Sequence, residues 1–282
     1  MSIIVDKLNY FYEDGAKSRQ VLKDISVVLP KGQFVAVIGH TGSGKSTFIQ
    51  HLNGILKAGS GSVYYDGQDI YQPDYNLKEL RSKVGLVFQY PEHQLFETDV
   101  FKDVCFGPKN IGMDEKKAQL RAFEALKQVG ISEDLFYVSP FELSGGQKRR
   151  VAIAGVLAMK PEVLILDEPT AGLDPKGRDD LLNMLKKLHE KENMTIILVS
   201  HSMEDVAKYA QRVVVMEQGR IVFDDVPKEV FAHKEELEEM RLGIPEVACL
   251  MQELKKNGFK VDEKAITIEE AKKTILQLFK ER

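Results

Sequence analysis

Cysteine is scarce here: Cys105 and Cys249 stand far apart, without metal-ligand spacing. That excludes a disulfide framework or a cysteine-based metal site and suits a reducing compartment. No apolar run approaches the roughly 18 residues that span a bilayer, and the start lacks the basic patch and apolar stretch of a signal segment. The expectation is a cytosolic chain whose membrane contact, if any, runs through a partner. Excess basic charge is also missing, with 39 Lys and Arg against 43 Asp and Glu and a formal net charge of -4. This argues against a dedicated nucleic-acid binder, whose affinity rests on a basic surface. There is no internal repeat and no low-complexity tract. What remains is an ordinary globular balance, 43% hydrophobic and 29% charged over 282 residues, long enough to bury its own core.

The apolar run FVAVIG breaks into the glycine-rich HTGSGKST and then into FIQHLNGIL, which predicts strand, loop and helix, and so an α/β domain with a parallel sheet. Upstream, IIVDKLNYFY and DISVVL predict short alternating strands, and GSGSVYYDGQDI adds another that closes on the Asp66-Gly67 turn. Together they predict an antiparallel flap. From Asp114 to Val129 the residues Ala118, Ala122, Ala125, Leu126 and Val129 share one helical face. Another helix is expected after Gly146, buried strands at VLILD and TIILVS, an amphipathic helix through Leu181, Leu182, Leu185 and Leu188, and a hairpin turning at Gln218-Gly219. Beyond about Pro227 the chain becomes charged, helical and strand-poor.

The chemistry centres on GHTGSGKS, which fits the phosphate-loop pattern G-x-x-x-x-G-K-[ST] in its proper place between strand and helix. Backbone N–H groups of such a loop and the positive helix N-terminus cradle phosphates. Lys45 is then expected to reach the terminal phosphates and the Ser46 hydroxyl to hold Mg2+. In VLILDE the apolar run buries a strand that presents Asp167 to the metal, and Glu168 follows, placed to accept a proton from an attacking water.

With LSGGQ (Leu143, Ser144, Gly145, Gly146, Gln147) ahead of that carboxylate pair, the chain resembles the ABC ATPase family. The resemblance runs over about residues 3 to 230. It implies a P-loop NTPase with a RecA-like core, an antiparallel β subdomain, an α-helical signature subdomain at about 90–160 and a small, mainly helical C-terminal extension. The nucleotide-binding domain is placed at 1–228 and the extension at 229–282, with a dimerisation role expected for the latter. ATP and Mg2+ are the implied cofactors. The loop Gly39, His40, Thr41, Gly42, Ser43, Gly44, Lys45, Ser46 and Thr47 would bind ATP, and Tyr12 resembles the aromatic that stacks on adenine, with Tyr10 as the alternative. Ser46, Asp167 and Gln89 would surround Mg2+. Glu168, His201, Gln89 and Lys45 would be catalytic, His201 as the switch histidine contacting the γ-phosphate. The signature would bind the γ-phosphate of ATP held by the opposite subunit of a head-to-tail dimer, and Asp174 in AGLDP would lie at that interface.

The stretch FQYPEHQLF followed by DVFKDVCFGPKNIG is similar to the Gln-loop region of the energy-coupling factor ATPases, and Tyr90 points to the second of their two paralogous ATPases. This resemblance implies an importer at the cytoplasmic face of the membrane. Its other parts would be a second ATPase, more readily a paralogue than a copy, a transmembrane coupling subunit and an exchangeable substrate-binding membrane subunit. The cargo would be a vitamin or a transition metal ion. Pro91, Glu92, Leu95 and Phe96 are expected to dock the coupling subunit, with Glu92 facing an arginine of a docking helix. Pro245, Val247, Leu250 and Leu254 offer an apolar face for the second ATPase or for their own domain. A soluble ABC ATPase acting on ribosomes or DNA is the alternative; those carry two cassettes or a long insertion, and this chain has one signature and no such insertion.

Overall fold

The computed structural model describes residues 2–15 and 17–280. A long hairpin of β1 (Ser2–Asp14) and β2 (Lys17–Pro30) opens the fold, and β3 (Phe34–Ile38) leads through the glycine-rich loop into α1 (Lys45–Leu52). Next come β4 (Ser60–Tyr65), β5 (Gln68–Asp69), α2 (Leu77–Lys83) and β6 (Val84–Val87). Three helices follow, α3 (Val100–Asn110), α4 (Glu115–Gln128) and α5 (Gly145–Leu157). The chain then alternates through β7 (Val163–Asp167), α6 (Pro175–Glu192), β8 (Thr195–Val199) and α7 (Met203–Tyr209) to the hairpin β9 (Arg212–Glu217) and β10 (Arg220–Asp225). Four helices end it: α8 (Pro227–Val230), α9 (Lys234–Glu239), α10 (Glu246–Lys256) and α11 (Ile268–Lys280).

The first sheet is antiparallel in the order β2-β1-β4-β5; the second runs β10-β9-β3-β8-β7-β6. In the second, β9, β3, β8, β7 and β6 are parallel and only the edge strand β10 is antiparallel. Every residue of β3, β7 and β8 is buried, as expected of strands covered on both faces. The strands β1 and β2 are longer than their alternating segments suggested. Register shifts between Val5 and Leu8, Leu8 and Tyr10, and Tyr10 and Phe11 interrupt the period-2 pattern without ending the pairing.

One face of the parallel sheet packs on α1 and the antiparallel sheet through Phe48, Ile49, Val63 and Leu86, and the other packs on α5 and α6 through Val151, Leu164, Leu182 and Leu198. The helical subdomain of α3, α4 and α5 is joined to that second core by Val104, Ala122, Leu126 and Ala154. Side-chain oxygens of Asp99, Asp114, Ser144, Asp174 and Ser202 accept backbone N–H groups at their helix starts, which sets where each helix begins.

The chain after β10 shares a core with the sheet. Phe231, Leu237, Ile244, Ala248 and Ile266 pack with Ala36, Ile38, Val213 and Val215. Burying Phe231 completely stabilises that contact by about 2–3 kcal/mol. A boundary at 228/229 therefore cuts α8, whose Val230 belongs to this shared core. On α10 the residues facing inward are Ala248 and Met251, with Val247 and Leu254 partly covered, while Leu250 is half exposed. The apolar stripe is thus largely used within the chain. Among the described residues no helix is long and apolar enough to cross a membrane.

Candidate nucleotide site

The phosphate loop lies where β3 ends and α1 begins, at the C-terminal edge of the parallel sheet, the usual binding crevice of open α/β folds. Its glycines serve distinct purposes. Gly42 and Gly44 take φ of +85° and +105°, a region that L side chains rarely adopt. A Cβ on Gly39 would collide with the Met216 carbonyl and with Ser43 Oγ. Lys45 Nζ donates to Gly39 O (2.7 Å) and His40 O (3.0 Å). Two of its three donors thus hold the loop, leaving the third for a phosphate oxygen. Burial lowers the Lys45 pKa, while the charges of Glu168 and Asp167 oppose the shift. Among the described residues Ser43 Oγ is buried with no hydrogen-bond partner, an orphan that an incoming phosphate oxygen would satisfy.

At the ends of β6, β7 and β8, three side chains converge. Glu168 sits at φ +49°, strained for a non-glycine residue, and its N–H donates to Val199 O (3.1 Å). That turn aims the carboxylate at the loop: Gln89 Nε2 donates to Glu168 Oε2 (3.2 Å), and His201 Nε2 lies 2.6 Å from Glu168 Oε1. Asp167 is buried, and desolvation raises its pKa despite a hydrogen bond from the Ser46 side chain and the nearby charge of Lys45. A hydroxyl and a carboxylate, with the Gln89 amide beside them, form a hard oxygen donor set that fits Mg2+. Among the described residues no group of three His, Cys, Asp or Glu side chains could hold a metal by itself. Such a site suits an ion that keeps substrate phosphates among its ligands.

A cavity of about 820 Å³ gathers Tyr12, Thr41, Gly42, Gly44, Lys45, Ser46, Thr47, Gln89, Glu168 and His201. Tyr12 is 43% exposed at its mouth, with its hydroxyl 3.4 Å from Thr47 Oγ1. Tyr10 packs edge-on against Tyr12 and His51 and does not line the cavity. Arg19 and Val21 also line it and belong to no sequence motif. Their signal is one of pairing: Arg19 faces Tyr12 across the β1–β2 hairpin. The side chain of His40 turns away from the cavity, towards Glu217.

The signature forms a separate place. Ser144 caps α5 in a capping box with Gln147, in which Gln147 N–H donates to Ser144 Oγ (3.3 Å) and Ser144 N–H donates to Gln147 Oε1 (2.9 Å). Space around Gly145 and Gly146 is open, and Leu143 is anchored in the core. Ser144, Gly145, Gly146 and Asp174 line a second cavity of about 400 Å³, which shares no lining residue with the first. Asp174 Oδ1 accepts the Gly177 N–H, capping α6.

The segment after Gln89 departs from expectation. Pro91 starts a single 3-10 turn, Pro91–Gln94, and is buried; Leu95 is buried in the core beside α3 and α5. Glu92 does not face outward for a partner's arginine. The turn directs it at Arg149 of α5, whose Nε and Nη2 donate to its two oxygens (3.1 and 2.7 Å). Arg149 is itself only 3% exposed, so the buried guanidinium requires that carboxylate. Of the four expected docking residues only Phe96 lies open, edge-on against the exposed Phe106.

Comparison with known proteins agrees with this geometry. A family profile described as "ABC transporter" matches residues 22–171. The chain is 52% identical to the energy-coupling factor transporter ATP-binding protein EcfA2 of Caldanaerobacter subterraneus subsp. tengcongensis, covering 98% of this chain and 97% of that one. It is 53% identical to EcfA2 of Clostridium tetani, covering 99% and 98%. Among solved structures, cbiO1 from Clostridium perfringens, described as part of the ABC transporter complex cbiONQ, superposes with a TM-score of 0.74 at 43% identity, covering 89% of this chain and 98% of that one. The ATP-binding cassette MJ0796, described as a dimer in a post-hydrolysis state bound to ADP and Pi, gives 0.72 at 29% identity, covering 80% and 98%. With full-length identity of this order, the chain belongs to the ABC transporter ATPases, and within them to the ATP-binding proteins of energy-coupling factor transporters.

Proposed function

We propose that this chain is the motor of an importer, binding and hydrolysing ATP between itself and a second ATPase. The observation that carries the reading is the separation of the phosphate loop and the signature into two cavities of one chain. A signature N-terminus that cannot reach its own nucleotide is suited to a γ-phosphate brought by a partner in head-to-tail order. Lys45 and the loop N–H groups bind the phosphates, Tyr12 stacks on the adenine, and the Ser144–Gly146 turn closes the partner's site. Glu168 accepts the proton of the attacking water. Gln89 and His201 hold its two oxygens, so the base is oriented before the water arrives. Mg2+ held by Ser46 and Asp167, with Gln89 alongside, would neutralise charge that builds on the phosphates.

The partner ATPase is read as a paralogue, the membrane part as a transmembrane coupling subunit with an exchangeable substrate-binding subunit, and the cargo as a vitamin or transition metal ion. The chain then sits at the cytoplasmic face of the membrane. The exposed aromatics Tyr90, Phe96 and Phe106 are the docking surface that remains once Pro91, Glu92 and Leu95 are used internally. Glu168→Gln is expected to bind ATP, hold the closed dimer and lose turnover in the full assembly. Near-normal hydrolysis by that variant would remove Glu168 as the base. Purification of the chain from detergent-solubilised membranes with ribosomal material and no membrane protein would overturn the transporter role.

A further inference from the structure

The tip of the β9–β10 hairpin supports the phosphate loop at three points. The Gly219 N–H donates to Ser43 O (3.0 Å), the Met216 carbonyl occupies the space a Cβ on Gly39 would need, and Glu217 Oε2 lies 3.0 Å from His40 Nε2. The tip itself is tightly turned and tied to β2. Gln218 and Gly219 take φ of +48° and +82°, a tight two-residue turn, and Lys23 N–H donates to Gly219 O (2.8 Å).

Glu217 supplies the one charged contact of the three. The Nδ1 of His40 lies 2.7 Å from Thr41 O, which can only accept, so Nδ1 carries a proton. On the other side of the ring, Nε2 meets Glu217 Oε2 at 3.0 Å. Glu217 Oε2 is buried, and no hydrogen bond reaches it among the described residues. Nε2 of His40 is thus the polar atom that stands against it. The backbone of this same segment carries Lys45: His40 O and Gly39 O are its two acceptors. Any drift of residues 39–41 moves the amine that meets the phosphates.

We propose that Glu217 is a positioning residue for nucleotide binding, holding the phosphate loop in shape through its contact with the His40 ring. The inference rests on the cavity being the ATP site and adds a residue outside every nucleotide motif, reached only through the hairpin.

The test is calorimetric titration of the full chain with ATP and Mg2+, for wild type, Glu217→Gln, His40→Gln and the double variant, with Lys45→Ala as reference. Each single substitution is expected to weaken ATP binding by about two- to fivefold, and the double variant to bind no more weakly than the worse single one, because either change ends the same contact. The Tm of each variant is expected to stay at the wild-type value, which a merely structural role would not leave unmoved. Wild-type affinity in Glu217→Gln, effects that multiply in the double variant, or a fall in Tm that accounts for the lost affinity would each overturn the proposal. A wild-type chain that binds no ATP, and is indistinguishable from Lys45→Ala, instead removes the site reading and the proposal with it. If Glu217→Gln does not fold, His40→Gln, on the more exposed side of the pair, carries the same comparison.

Discussion

Replacing Arg149 by Met is expected to be among the most damaging single changes away from the nucleotide. The guanidinium is 3% exposed and donates to both oxygens of Glu92, to Pro169 O (3.0 Å) and to Ala171 O (2.6 Å). Its loss leaves a carboxylate in a position where the side chain is only 17% exposed, and two carbonyls without their donor. Removing one partner of a buried pair costs about 3–5 kcal/mol, and each carbonyl adds about 1 kcal/mol. For a chain of this size that is a fall in Tm on the order of 10 °C. Glu92→Gln keeps an acceptor for Arg149 and should cost about 1–3 kcal/mol. The double variant should be more stable than Arg149→Met alone, since it removes the stranded carboxylate. Burial opposes ionisation of Glu92, yet the hydrogen bonds and charge of Arg149 prevail and hold its carboxyl below the ordinary range. A depressed folded-state pKa adds stability that is complete above the unfolded value and is lost as pH falls through the folded one. The gap between wild type and Glu92→Gln should therefore close in acid below the usual carboxylate range. Denaturant titrations at neutral and acidic pH measure all of this. Single-variant costs under about 1 kcal/mol that simply add would refute the pairing argument.

Gly39→Ala should abolish ATP binding, since its methyl meets the backbone carbonyl of Met216; equilibrium titration with nucleotide checks it, and unimpaired affinity would contradict the close approach. Ser144→Ala removes a capping box at a cost of about 0.5–2 kcal/mol and is expected to lower turnover of the assembled complex while ATP still binds the single chain; a loss of binding in the isolated chain would show that the two cavities communicate within it. Burial pushes the Cys105 thiol up to about 11, so at neutral pH a maleimide should label the partly exposed Cys249 and leave Cys105 unreacted until the chain unfolds; mass spectrometry counts the adducts.

The local signals of this chain were legible because the physics behind them is local. GHTGSGKS needs positive φ at Gly42 and Gly44 whatever surrounds it, the apolar runs FVAVI, VLIL and TIILV suit only strands covered on both faces, and Ser144 with Gln147 closes a capping box within four residues. Order along the sequence also placed Gln89, Glu168 and His201 at strand ends that a parallel sheet brings to one edge. What lay beyond reach were pairings between distant segments that leave no periodic trace. Glu92 meets Arg149 across 57 residues, Glu217 meets His40 from a distant hairpin, and Phe231 and Ala248 fill a face of the sheet that reads equally well as a free surface. The sequence by itself determined where the chain turns, caps a helix or runs as a buried strand, because each motif carries its own backbone geometry. Only the tertiary structure decided which charges were already spoken for, because a carboxylate's partner is set by where two helices, a turn or a hairpin meet in space.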